Sequence, residues 1–248
     1  MDGNNTNLTV NMMQTGILYG IGIGPGDPEF ITLKAVNILQ KVSVVFAASS
    51  TKNTYSLAEE IVSPHLKKDT PVIHLGFPMT LDKKILETAW QDNASKVIST
   101  IKEGKDAAFI TLGDPMTYST FGYLMEAVQK NDPRISIKII PGITSYHAAA
   151  ARAGQIMAKA EESFTVMSGA LGEGNLKKAV DTSNTVVILK VYRKYRKILD
   201  TLTKLDLADR SVLVSRCGLT GENIVKNISE HPDTNPDYLS MLLIRKKD

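Results

Sequence analysis

Ile17-Leu18-Tyr19-Gly20-Ile21-Gly22-Ile23-Gly24-Pro25-Gly26-Asp27-Pro28 is where apolar patterning begins in this chain. A short apolar run passing into alternating glycines reads as a buried strand, Ile17 to Ile23, entering a tight turn. Working outward, Ile31 to Gln40 reads as a helix with Ile31, Ala35, Ile38 and Leu39 on one side. Val42 to Ala47 is a continuous apolar strand, Ser56 to Val62 a short helix stopped near Pro64, and Val72 to Leu75 a strand. Leu81 to Lys102 reads as a long helix whose inward stripe is Ile85, Leu86, Ala89, Trp90, Val97, Ile98 and Ile101. Strands over Ala107 to Leu112 and Ile135 to Ile140 flank a helix from Thr120 to Lys130. Strands alternating with helices place the chain in the α/β class, with a parallel sheet covered on both faces.

Past Pro141-Gly142 the pattern is less regular. Phe164 to Met167, Thr185 to Leu189, Val212 to Ser215 and Tyr238 to Ile244 read as strands, and Tyr192 to Leu205 as a helix. The expected organisation is a mobile tail over 1–15, an N-terminal α/β domain over 16–141 and a C-terminal domain over 142–248.

The 248 residues are 43% hydrophobic and 22% charged, which fits a globular chain and excludes collagen-like or fully disordered readings. Net charge is −2 over the first 124 residues and +5 over the rest, so an anionic partner belongs with the second half; the bias is too small for a nucleic-acid binder. One cysteine, Cys217, excludes an internal disulfide framework and a cysteine zinc cluster. His65, His74, His147 and His231 have no ligand spacing, so no metal is expected. The start, Met1-Asp2-Gly3-Asn4-Asn5, lacks a secretory pattern, and no apolar run reaches the roughly 18 residues of a membrane span. A cytoplasmic protein is expected.

Four stretches could carry chemistry. Glycines after the first strand let a ligand approach the backbone, or simply make a tight turn. They do not spell a dinucleotide fingerprint: the position that should hold the third glycine is Pro25 or Asp27, and the second strand ends in Phe46-Ala47-Ala48 without its acid. Thr111-Leu112-Gly113-Asp114-Pro115-Met116-Thr117-Tyr118-Ser119-Thr120 lies at the carboxyl end of a parallel strand, where ligands bind. There Asp114 either accepts from a ligand hydroxyl or amine, or an Asp or Ser caps the next helix. Pro141-Gly142-Ile143-Thr144-Ser145-Tyr146-His147, then four alanines and Arg152, repeats the design: strand, turn, hydroxyl pair, helix of small residues. Those alanines fit close packing on a sheet or against a flat ligand. Lys190, Arg193, Lys194, Arg196 and Lys197 form either a solvated helix face or a landing site for a multiply carboxylated substrate.

The first three motifs in this order, from about Gly16 to Arg245, resemble the tetrapyrrole methylase family. Residues 113–120, 141–154 and 165–170 resemble those members that methylate precorrin-2, or its cobalt complex, at C20 in cobalamin synthesis. The resemblance implies two α/β domains, the second with a mixed sheet, a homodimer, and S-adenosylmethionine held between the domains. Carried over by position, cofactor contacts are Pro25, Leu112, Gly113, Asp114, Thr117, Thr144, Ser145, Lys190 and Gly218; Lys190 departs from the apolar residue of many relatives. Gly22, Gly24, Gly26 and Asp27 would face a tetrapyrrole polycarboxylate, with Arg152 and Arg193 for its carboxylates. The meso carbon sheds a proton after methylation, and Asp27, Tyr118 and His147 are candidate bases. Rival readings are methylation at another ring position, methylation of a protein-borne diphthine, and a non-catalytic tetrapyrrole binder.

Overall fold

A computed structural model describes residues 15–50, 57–231 and 233–246. The expected tail, save Thr15, and the expected helix start at Ser56 lie outside the described residues. The chain divides into two compact units. One holds residues up to Ile23 and Thr32–Pro141; the other holds Gly24–Ile31 and everything from Gly142.

The first unit is built on β1 (Ile17–Gly22), β2 (Val44–Ser50), β3 (Val72–Phe77), β4 (Ala107–Thr111) and β5 (Ser136–Ile140), in the order β3-β2-β4-β1-β5. Every pairing in it is parallel. Its helices are α1 (Leu33–Leu39), α2 (Leu57–Val62), α3 (Lys83–Lys102) and α4 (Thr120–Asn131). On one face Leu18, Phe46, Leu75 and Phe109 pack with Val97, Ile101, Phe121 and Leu124 of α3 and α4. On the other face Val45, Ala47, Ala108 and Ile110 are buried too, with α2 against β4. Strands buried on both sides read as unbroken apolar runs, which is why they were legible.

Several boundaries differ by one to three residues from those expected, and two differences have a clear cause. Helix α1 begins after Thr32, whose Oγ1 accepts from Ala35 N at 3.2 Å, because Pro28–Phe30 forms its own 3-10 turn. In α3, capped by Asp82, the buried stripe starts only at Asn93. Ile85 is half exposed, and Trp90 stacks on Tyr123 with ring centroids 4.7 Å apart.

The second unit carries a mixed sheet of β6 (Phe164–Ser168), β7 (Thr185–Leu189), β8 (Ser211–Ser215), β9 (Asn223–Lys226) and β10 (Ser240–Arg245), ordered β6-β7-β10-β8-β9. Only β6 and β7 are parallel; β10 runs antiparallel to β7 and β8, and β9 to β8. Side chains along a strand alternate between faces. Val187, Met241 and Leu243 therefore meet α5 (Ser145–Ala153), through Ala148, Ala149 and Ala150. Val186, Ile188, Leu242 and Ile244 meet α6 (Glu173–Thr182) and α7 (Tyr195–Lys204). Three of the four alanines thus pack on the sheet, while Ala151 is exposed. The expected helix from Tyr192 is split: Val191–Arg193 is a 3-10 turn, and α7 starts at Tyr195. Helix α6 and strand β9 were not read from the sequence.

Candidate functional site

In the first unit the chain leaves β4 through a strained turn. Gly113 sits at φ +69° and Tyr118 at φ +51°, a backbone region costly for a tyrosine. Asp114 Oδ1 accepts from Met116 N at 2.9 Å, so the aspartate closes its own turn. The cap of α4 is instead Ser119, whose Oγ accepts from Phe121 N at 3.0 Å and donates to Thr111 Oγ1 at 3.0 Å. Leu112, Asp114 and Thr117 are half-buried and Tyr118 exposed. Upstream, Gly20 is a packing glycine: a Cβ there would stand 2.2 Å from the Phe121 ring. Gly22 is buried at the end of β1, in register with Thr111.

In the second unit the glycine turn lies against the loop after β8. A Cβ on Gly26 would come within 2.7 Å of Leu219 Cγ and 2.8 Å of the Cys217 carbonyl oxygen. A Cβ on Gly218, at φ +73°, would come within 2.9 Å of Asp27 N. These glycines let two chain segments touch, a reason the sequence did not disclose. Gly24 has φ +80°, Pro25 is buried, and Asp27 Oδ1 accepts from Glu29 N at 2.9 Å as the cap of the 3-10 turn.

The ends of β7 and β8 are strained as well. Lys190 sits at φ +58° and Arg216 at φ +52°, each one residue past its strand. Thr144 caps α5, its Oγ1 3.4 Å from the His147 N that donates to it and 2.8 Å from His147 Nδ1. Ser145 opens that helix and is half-buried. Arg152 Nε lies 3.6 Å from Glu222 Oε2. Arg193 is exposed, with its guanidinium 5.3 Å from the Tyr192 ring centre. In the rest of the basic run, Lys194 donates to the Ala170 carbonyl at 2.8 Å and Arg196 pairs with Asp233 at 3.1 Å. Among the described residues neither Lys190 nor Arg193 has a carboxylate partner, so both retain charge for an anion.

Burial, then the nearby Glu222 carboxylate, push the Cys217 thiol up to about 11, which leaves little reactive thiolate near neutral pH. Among the described residues no cluster could hold a metal ion, and no helix is long and apolar enough to cross a membrane. The first unit thus presents kinked backbone, hydroxyls and Asp114 beyond β4; the second presents kinked backbone beyond β7 and β8, with Lys190 and Arg193 near the former, and hydroxyls at the start of α5. A carboxylate beside hydroxyls suits a ligand with amine and hydroxyl groups, and exposed cations suit a polyanion. Glu222 and Arg216 were missed from the sequence, where Gly218 and Gly221 were the only signal of a special loop.

Residues 17–231 match the family of Tetrapyrrole (Corrin/Porphyrin) Methylases. The chain is 32% identical over 233 residues to cobalt-precorrin-2 C(20)-methyltransferase of Salmonella typhimurium, covering 94% of this chain and 97% of that relative. It is 27% identical over 239 residues to precorrin-2 C(20)-methyltransferase of a Sinorhizobium species, covering 92% and 95%. In fold it resembles uroporphyrin-III C-methyl transferase from Thermus thermophilus complexed with S-adenyl homocysteine, with a TM-score of 0.66, 20% identity, and coverage of 93% and 98%. A match spanning both units, joined to the shared two-sheet fold, places this chain in the tetrapyrrole methylase family.

Proposed function

We propose that this protein methylates C20, a meso carbon, of precorrin-2 or its cobalt complex in cobalamin biosynthesis, with S-adenosylmethionine as donor. The supporting observation is near-full-length similarity to C(20)-methyltransferases in a chain whose strand ends carry the turns such a ligand needs. S-adenosylmethionine supplies a methyl group on a positively charged sulfonium. The acceptor is an electron-rich carbon conjugated to pyrrole nitrogens, so the protein is asked chiefly for alignment. Holding reacting atoms in line can lower a barrier by about 7–11 kcal/mol.

In this reading Asp114 accepts from the donor molecule's hydroxyls or amine, its carboxylate already oriented by Met116 N. Leu112, Gly113, Thr117 and Pro25 add contacts, as do Thr144 and Ser145 at the start of α5 and Lys190 beyond β7. The Gly218 N–H is committed to Glu222 Oε2 at 2.7 Å, so its contact comes through its carbonyl or Cα. Gly22, Gly24, Gly26 and Asp27 face the macrocycle. Arg193 meets its carboxylates, and Arg152 does so only by sharing its charge with Glu222. The meso proton passes to one of Asp27, Tyr118 and His147. The protein acts as a homodimer in a reducing cytoplasm, which suits its single buried cysteine.

The test is incubation with S-adenosylmethionine and either precorrin-2 or cobalt-factor II. The expected product is one methylene heavier, with an isotopically labelled methyl on C20 by NMR. Label at another carbon would reassign the ring position, and binding without transfer would make the chain a tetrapyrrole carrier.

A further inference from the structure

The loop Arg216–Glu222 folds back on itself. Leu219 N donates to the Arg216 carbonyl at 2.9 Å and Glu222 N to the Leu219 carbonyl at 3.0 Å. Three of its seven residues, Arg216, Gly218 and Gly221, have left-handed backbone. The two glycines adopt that backbone freely, but Arg216 does so only where its surroundings hold it. Arg216 Nε donates to the Thr220 carbonyl at 2.8 Å at one side of the loop, and one carboxylate oxygen holds the other. Glu222 Oε2 accepts from Gly218 N at 2.7 Å and lies 3.6 Å from Arg152 Nε on α5. A charge-assisted bond this short is among the stronger ones in proteins. The same turn is the floor on which the glycine turn rests, through Gly26 on Leu219 and Gly218 on Asp27.

We propose that Glu222 is a positioning residue: its carboxylate locks the Cys217–Gly218 turn against Gly26 and Asp27, so that the backbone of Gly218 meets S-adenosylmethionine already in its binding shape. This rests on the cofactor reading above and names the group that prepares that part of the site. Preorganised backbone binds more tightly because its ordering cost is met before the ligand arrives. Arg152 then serves the lock from α5, 3.6 Å from the same carboxylate oxygen.

Cys217, the only cysteine in the chain and buried in the locked turn, reports on the lock without any ligand. The experiment compares wild type, Glu222→Ala and Glu222→Gln by the rate at which a disulfide reagent labels Cys217, by calorimetric binding of S-adenosylhomocysteine, and by the KM for S-adenosylmethionine. Glutamine keeps an oxygen for Gly218 N–H but removes the charge. The expected result for Glu222→Ala is labelling about ten-fold faster and binding about ten-fold weaker, the size of losing one hydrogen bond to a charged group. Its KM rises while kcat at saturation is retained; Glu222→Gln, whose thiol also escapes the carboxylate's charge, labels faster than wild type but more slowly than Glu222→Ala, and binds within about three-fold of wild type. If Glu222→Ala does not fold, Glu222→Asp, one methylene too short to reach Gly218, takes its place. Labelling of the alanine variant at the wild-type rate overturns the lock. Equal acceleration in the glutamine variant overturns it too, because the carboxylate would then act on the thiol's ionisation alone. Acceleration as expected with no S-adenosylhomocysteine uptake even by wild type overturns the cofactor reading, and with it the positioning role, leaving a structural lock.

Discussion

Gly218→Ala separates two reasons for a glycine beyond β8: room for a ligand, or room for the chain itself. The backbone there has φ +73°, and an added Cβ would stand 2.9 Å from Asp27 N and 3.3 Å from Asp27 Cβ. Left-handed backbone costs an L-residue about 1–2 kcal/mol. Overpacking a closed contact costs about 1–3 kcal/mol, and a backbone nitrogen yields less readily than a side-chain tip. With partial relaxation the apo protein should lose about 2–4 kcal/mol. That is a fall in Tm of roughly 5–15 °C for a chain of this size. Urea unfolding followed by far-ultraviolet circular dichroism, without cofactor, measures it. Gly122→Ala is the control, since nothing lies within 4 Å of its Cβ. Apo stability equal to wild type, with only cofactor binding weakened, would refute the chain-packing argument and return Gly218 to a pure ligand-clearance role.

Asp114→Ala should raise the Kd for S-adenosylhomocysteine about ten-fold or more, since it removes charged acceptor bonds; unchanged calorimetry would count against the aspartate's role. Arg193→Glu should weaken tetrapyrrole binding roughly three- to ten-fold while leaving cofactor binding alone; an equal effect on both would mark an ordinary solvated face. Hydrogen bonds from Arg134 and then Lys102, each at 2.9 Å, hold the Asp132 carboxyl well below the usual carboxylate range. A depressed folded value stabilises the protein above the unfolded value of about 3.9 and is lost as pH falls below it. Wild type should therefore lose stability between pH 5 and pH 2 more steeply than Asp132→Asn, with parallel urea-midpoint curves refuting the assignment.

The amino-acid order alone determined the parallel sheet of the first unit. Its central strands β2 and β4 are buried on both faces and so appear as apolar runs, while its helices carry stripes such as Phe121, Leu124 and Val128 at helical spacing. It also located the turns holding Asp114 and Thr144, because Gly-Asp-Pro and Pro-Gly punctuate strand ends in any context. Helix α6, with only Leu176, Ala179 and Val180 buried, and the four-residue edge strand β9 carry too little apolar signal; their neighbours decide them. The split at Lys194 and the left-handed Lys190 and Arg216 were likewise invisible, since propensity favours helix through the one and disfavours left-handed backbone at the others. Why Gly26 and Gly218 are glycines was settled only by tertiary structure. They lie 192 positions apart in the chain, and the Cβ each lacks would collide with the other's segment, a contact no local pattern encodes.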